Sequence, residues 1–284
     1  MRRVFYLMLL FSAALLTKVL AQDNRAAENK QNGEQKVDRI ELSQKKHRKL
    51  FGESTSSKPE LDPELMGILK KFIFGEVFYV GNLDDKLREL ITIVSLATQQ
   101  TMPQLKAHTH AALNIGITPI EIREAVYQCA PFIGFPKTLN AVHAINEVFM
   151  ERNITLPLEN QSTVKEEERY AKGKEIQFPI YGDEIKENMK ELPADMGEVV
   201  PRFLTELCFG DFYTRKGLEV KTRELLMLCV LATLGTEKQI YAHATGNIKV
   251  GNSKETLIAA MIHCLPYIGF PRALNAISII KSIQ

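Results

Sequence analysis

His108 and His243 each follow an alanine, and 135 residues separate them. A histidine titrates close to neutral pH and can give or take a proton within one turnover, so a repeated one is a candidate for acid–base work. Arg88 and Arg223 keep the same offset, each at the head of Arg-Glu-Leu. There a guanidinium could pair with a substrate carboxylate or brace the start of a helix. Cys129 and Cys264 also pair at this offset and open two near-copies, CAPFIGFPKTLNA and CLPYIGFPRALNA. The residue just ahead differs, Gln128 in one copy and His263 in the other. Either could hydrogen-bond a substrate oxygen, and the difference implies that two sites are not equivalent. Gly134 and Gly269, inside the phrase, complete the substrate-facing candidates.

The elements that must position these residues are themselves duplicated. Laying 72–149 over 207–284 without a gap gives 26 identities in 78 positions. An internal repeat of this length means two copies of one structural unit. Apolar residues at Leu87, Leu90, Ile91, Val94 and Ala97 recur at three- and four-residue steps, as do Leu218, Leu225, Leu228 and Leu231. Thr118-Pro119-Ile120-Glu121 reads as a capped helix start, and Asn252-Ser253-Lys254-Glu255 stands in its place in the second copy. Gly116 and Gly251 close the preceding helices. With no period-two runs, the fold class predicted is all-α. In the repeated phrase, Pro131 should stop the helix near Cys129, Gly134 should turn the chain, and Pro136 should start the next helix.

The first unit is expected over 45–152, a linker over 153–165 and the second unit over 166–284. Ahead of them, 22–44 is polar and poor in apolar anchors, as in a disordered leader. Lys45-Lys46-His47-Arg48-Lys49 is expected to be a solvated linker. Residues 1–21 carry two arginines, an apolar stretch and Val19-Leu20-Ala21, the layout of a secretory signal cleaved after Ala21. The apolar run is short for a membrane span, so an exported protein, periplasmic or secreted and without a stable membrane anchor, is expected. Its four cysteines lie in apolar segments without a C-x-x-C pair and read as buried small hydrophobes. A net charge of +2 gives no reason to expect a nucleic-acid partner. His108-Thr109-His110 is a poor chelate, because helical residues two apart point to different sides, so no metal site is expected.

The Arg-Glu-Leu helix start, the Ala-His helix ending in glycine and the proline–glycine elbow, in that order and twice, resemble the carboxymuconolactone decarboxylase family. The alkylhydroperoxidase D-like proteins share that superfamily. The resemblance implies an all-helical pair of units forming a fused pseudo-dimer, with further association into a homo-oligomer such as a trimer of these pairs. It implies a small-molecule substrate, no cofactor, and a relay glutamate 19 residues before the histidine, a place held by Glu89 and Glu224. Thiol peroxidases of the superfamily carry a cysteine pair where this chain has Thr101 and Gln104, and Thr236 and Gln239. Without a thiolate that chemistry has no nucleophile. The decarboxylase branch keeps the histidine and lacks the thiols, which implies lyase-type proton transfer on an unsaturated acid or lactone. A binding or scaffold protein that retains the fold is the alternative. Spacing alone does not bring Glu89 to His108: two antiparallel helices turning at Pro103 would leave them about 10 Å out of step, at about 1.5 Å per residue. They can meet if the helices cross steeply, or if another repeat or chain supplies one partner.

Overall fold

The computed structural model describes residues 38–53 and 61–283, and the expected signal and most of the leader lie outside them. The first unit comprises α1 (Arg39–Phe51), α2 (Pro63–Gly75), a 3₁₀ turn (Val77–Tyr79), α3 (Asp85–Gln99), α4 (Met102–Asn114), α5 (Pro119–Gln128), the single turn α6 (Ala130–Ile133) and α7 (Phe135–Glu151). The second comprises α8 (Arg169–Tyr181), α9 (Glu184–Met189), α10 (Met196–Phe203), a π-helix (Leu204–Tyr213), α11 (Val220–Leu234), α12 (Glu237–Lys249), α13 (Lys254–Ile268) and α14 (Phe270–Ser282). No strand occurs among the described residues.

Local signals explain most of the boundaries. Thr118 caps α5 in a reciprocal box with Glu121, and Ser253 accepts the Thr256 amide at the start of α13. Gly116 and Gly251 follow their helices at φ 79° and 91°, in the left-handed region that glycine enters without strain. Three expectations change. The leader gives way to helix at Arg39 rather than at Lys45, because Ser43 and Leu50 are buried on one side of α1. The basic run is therefore part of a helix and not a linker; Lys46 and Lys49 both grip Asp85, each at 2.6 Å. At the elbow, the first copy breaks after Gln128, whereas α13 runs through Pro266 to Ile268. The shared turn is at the glycines, Gly134 at φ 83° and Gly269 at φ 81°.

The two units share one apolar core. Ile91, Val94 and Leu105 belong to the same cluster as Leu228, Leu231 and Met261, and α3 packs against both α11 and α13. Cys129, Cys208, Cys229 and Cys264 are all buried and unbridged. Burial pushes the Cys129 and Cys208 thiols up, so they pack as small hydrophobes.

Candidate active sites

Each unit brings its glutamate and histidine together. Glu89 on α3 lies 2.8 Å, through Oε2, from Nδ1 of His108 on α4. Glu224 on α11 lies 3.1 Å, again through Oε2, from Nδ1 of His243 on α12. Both partners come from one unit, so neither pair needs a partner from another repeat or chain. The carboxylates are fully buried, while His108 keeps 8% of its surface exposed and His243 is half-buried. An ionised carboxylate accepts and cannot donate, so each imidazole gives its Nδ1–H to the acid and turns Nε2 outward. That tautomer leaves Nε2 available to carry a proton.

Each site is completed by the other unit's elbow. The Tyr267 ring stands edge-on to His108 at 5.8 Å, and the Phe132 ring edge-on to His243 at 5.4 Å. Tyr267 and Phe132 are the same elbow position in the two copies. Phe51 covers His108 at 5.4 Å, and Tyr181, its counterpart at the end of α8, covers His243 at 5.2 Å. Beside His243 opens a cleft of about 650 Å³, walled by Phe132, Tyr181, Leu204 and Phe209, with Lys238 and Gln239 on its exposed side.

The polar wiring of the two sites differs. In the second, the Tyr181 hydroxyl lies 2.6 Å from Glu224 Oε2 and 2.9 Å from His243 Nδ1. The Tyr213 hydroxyl, delivered by the π-helix, donates to Glu224 Oε1 at 2.6 Å. Burial first, and then the negative Glu224, push both phenols up, which keeps them protonated as donors. In the first site Phe51 and Phe78 occupy these two places. Glu89 Oε1 there has no hydrogen-bond partner among the described residues, and neither does the Tyr267 hydroxyl.

Four of the substrate-facing candidates, Arg88, Arg223, Gln128 and His263, are buried. Arg88 is 1% exposed and donates to the carbonyls of Leu83, Val77, Val80 and Gly81. Arg223 is fully buried and donates to Gln128 Oε1 and to the carbonyls of Leu218, Arg215 and Lys216. These guanidiniums clamp the segments that enter α3 and α11. His263 Nε2 lies 3.0 Å from both Thr92 Oγ1 and the Arg88 carbonyl. Gln128 and His263 thus each sit against the other unit's arginine helix, as interdomain wedges. Gly134 and Gly269 lie exposed at the elbow turns and act through the backbone.

The aromatic lining, Phe51, Tyr181, Phe78, Tyr213, Phe132 and Tyr267, was not singled out from the sequence, although a signal for it existed. The elbow pairs Phe132 with Tyr267 in register, Phe78 pairs with Tyr213 at the same offset, and LFGES matches IYGDE at an offset of 130.

Comparison with known proteins fits this arrangement. The carboxymuconolactone decarboxylase family model matches residues 63–147 and again 198–282, together more than half of the chain. The chain belongs to that family, as a tandem of two units. Among individual relatives, it is 26% identical over 120 residues to the 4-carboxymuconolactone decarboxylase of Acinetobacter baylyi, covering 42% of this chain and 90% of that protein. It is 35% identical over 75 residues to the nitrosuccinic acid decarboxylase of Metarhizium robertsii, covering 26% of this chain and 52% of that enzyme. An uncharacterized 15.0 kDa protein of Paracoccus denitrificans is 31% identical over 96 residues, 33% of this chain and 72% of its own.

Proposed function

We propose that this protein is an exported, cofactor-free lyase that decarboxylates a small unsaturated acid or lactone by proton transfer at His108, His243 or both. The observation that carries the reading is the buried Glu–His pair found in both units, at 2.8 and 3.1 Å, with the second imidazole in the wall of a cleft. Two relatives named as decarboxylases support it.

In such a reaction the bond from carbon to carboxylate breaks and its electron pair enters the conjugated carbonyl. Carbon dioxide leaves a dienolate. An imidazolium then gives its Nε2 proton to the carbanionic carbon and is left neutral, to be recharged from water. The glutamate on Nδ1 holds the ring in place and balances its positive charge while it is protonated. The cleft's aromatic and aliphatic walls suit a conjugated substrate. Thr101, Gln104, Thr236 and Gln239 stand where a thiol peroxidase needs cysteines, which disfavours peroxide reduction.

The test is carbon dioxide release from a panel that includes 4-carboxymuconolactone and nitrosuccinic acid, with His108→Ala, His243→Ala and the double variant. A fall of about 100-fold or more in the double variant is expected, in line with loss of a general acid–base group. Undiminished turnover in the double variant rejects the proton-transfer role, and a wild type inert towards every acid favours a binding protein. Export and self-association belong to the same proposal. N-terminal sequencing of the mature protein should begin at Gln22, and its mass in solution should exceed that of one chain.

A further inference from the structure

The two sites differ in how their buried carboxylate presents its charge, and this bears on which of them can accept an acid. Around Glu224 both oxygens are covered: Tyr213 donates to Oε1, while Tyr181 and His243 Nδ1 share Oε2. A phenol has one proton. Tyr181 gives it to the ionised acid at 2.6 Å, so the lone pair it turns to His243 accepts the Nδ1–H at 2.9 Å. The imidazole is thereby tied to Glu224 both directly and through the phenol. Three donors share one negative charge.

Around Glu89 the only donor among the described residues is His108, and Oε1 is uncovered. An anionic ligand brought beside that site meets a buried carboxylate at low dielectric, where like charges repel most strongly. The same ligand at the second site meets a carboxylate already wrapped in hydroxyls. It also finds a cleft of about 650 Å³ with largely apolar walls, where the Lys238 ammonium and the Glu184 carboxylate are both exposed.

We propose that the small carboxylate ligand is taken at the second site, in the cleft beside His243, and that Tyr181 and Tyr213 are positioning residues that mask the charge of Glu224 to admit it. This deepens the small-acid reading above by assigning the site and the charge of its ligand. The sequence difference between the units supports masking: Phe51 and Phe78 stand in the first where the second has its two tyrosines, and the Tyr267 hydroxyl at the first site makes no hydrogen bond to Glu89.

The experiment uses the full chain with ¹⁵N-labelled histidine, titrated with sorbate, a small conjugated carboxylate, and with its neutral amide, sorbamide. Sorbate should shift the ring nitrogens of His243 and leave those of His108 in place. Tyr181→Phe should weaken sorbate binding about tenfold, equivalent to about 1.4 kcal/mol, and leave sorbamide binding unchanged; Tyr213→Phe should act in the same direction. Loss of a purely structural contact would weaken both ligands alike, and that outcome overturns the masking role. Sorbate signals at His108, or at neither histidine, overturn the assignment of the site. Because binding is read without turnover, a protein that binds sorbate as expected yet releases no carbon dioxide would sink the lyase reading and leave this one standing.

Discussion

His263 occupies the position that Gln128 holds in the first unit, and its surroundings allow only a neutral ring. Burial, and next the nearby Arg88 charge, push its pKa down to about 3. A charged His108 adds to this, while the hydrogen bond to the Arg88 carbonyl and, after it, the Asp85 charge oppose it. In the unfolded chain the ring titrates at about 6.5. Below that value the unfolded state therefore binds a proton that the folded state refuses. Stability from this residue is complete above pH 6.5 and is lost as pH falls towards about 3, at a limiting slope of about 1.4 kcal/mol per pH unit. His263→Gln installs the first unit's residue and removes that slope. Melting temperatures measured from pH 7 to pH 4.5 should fall less steeply in the variant than in the parent. Parallel curves would show that His263 does not control acid sensitivity.

At the scale of elements, the repeated Phe-Gly of the two entry helices has a steric cause. A Cβ on Gly75 would lie 2.2 Å from the Arg39 carbonyl oxygen, and one on Gly210 would lie 2.5 Å from the Arg169 carbonyl oxygen. These glycines let α1 and α8 cross their neighbours backbone to backbone, which holds Phe51 and Tyr181 over the imidazoles. Gly75→Ala should therefore destabilise by about 1–3 kcal/mol, the usual range for overpacking, despite alanine's better helix propensity. Urea unfolding measures it, and a stabilised variant would refute the close approach. The sequence alone made much of this level legible. Caps, closing glycines and the helical period lie within a few residues of one another, so Thr118, Ser253, Gly116 and Gly251 announce themselves. What escaped was set by contacts between distant segments. Pro266 continues a helix that an isolated proline would break, and Lys46 leaves solvent for Asp85. Glu89 reaches His108 across the packing of α3 on α4, which residue spacing does not encode. The arginines' two readings, substrate carboxylate or helix brace, could not be separated in the sequence because their carbonyl partners carry no sequence signature.

The whole molecule depends on the join between its units, and one buried charge cluster concentrates that dependence. Glu124 on α5 is fully buried and receives Arg215 from the second unit through two bonds, at 2.8 and 2.9 Å. Arg123 and Arg223 also approach it, at 3.1 and 3.5 Å. Its counterpart in the second unit is Ala259, so the cluster is built once, on one side of the pseudo-dimer. Desolvation lowers the pKa of Arg223, and the Glu124 charge opposes that effect. Replacing Glu124 by glutamine leaves three guanidiniums facing a neutral amide in a largely buried site. Removing one partner of a buried ion pair typically costs about 3–5 kcal/mol. Glu124→Gln should thus lower the unfolding free energy by that order, and Arg215→Ala should lose much of its own effect when combined with it. A double-mutant cycle by chemical denaturation reads both terms. Additive effects would mean that the pair does not couple the units. A non-additive result would place the two sites on one cooperative body, in which each elbow aromatic covers the other unit's histidine because the join holds it there.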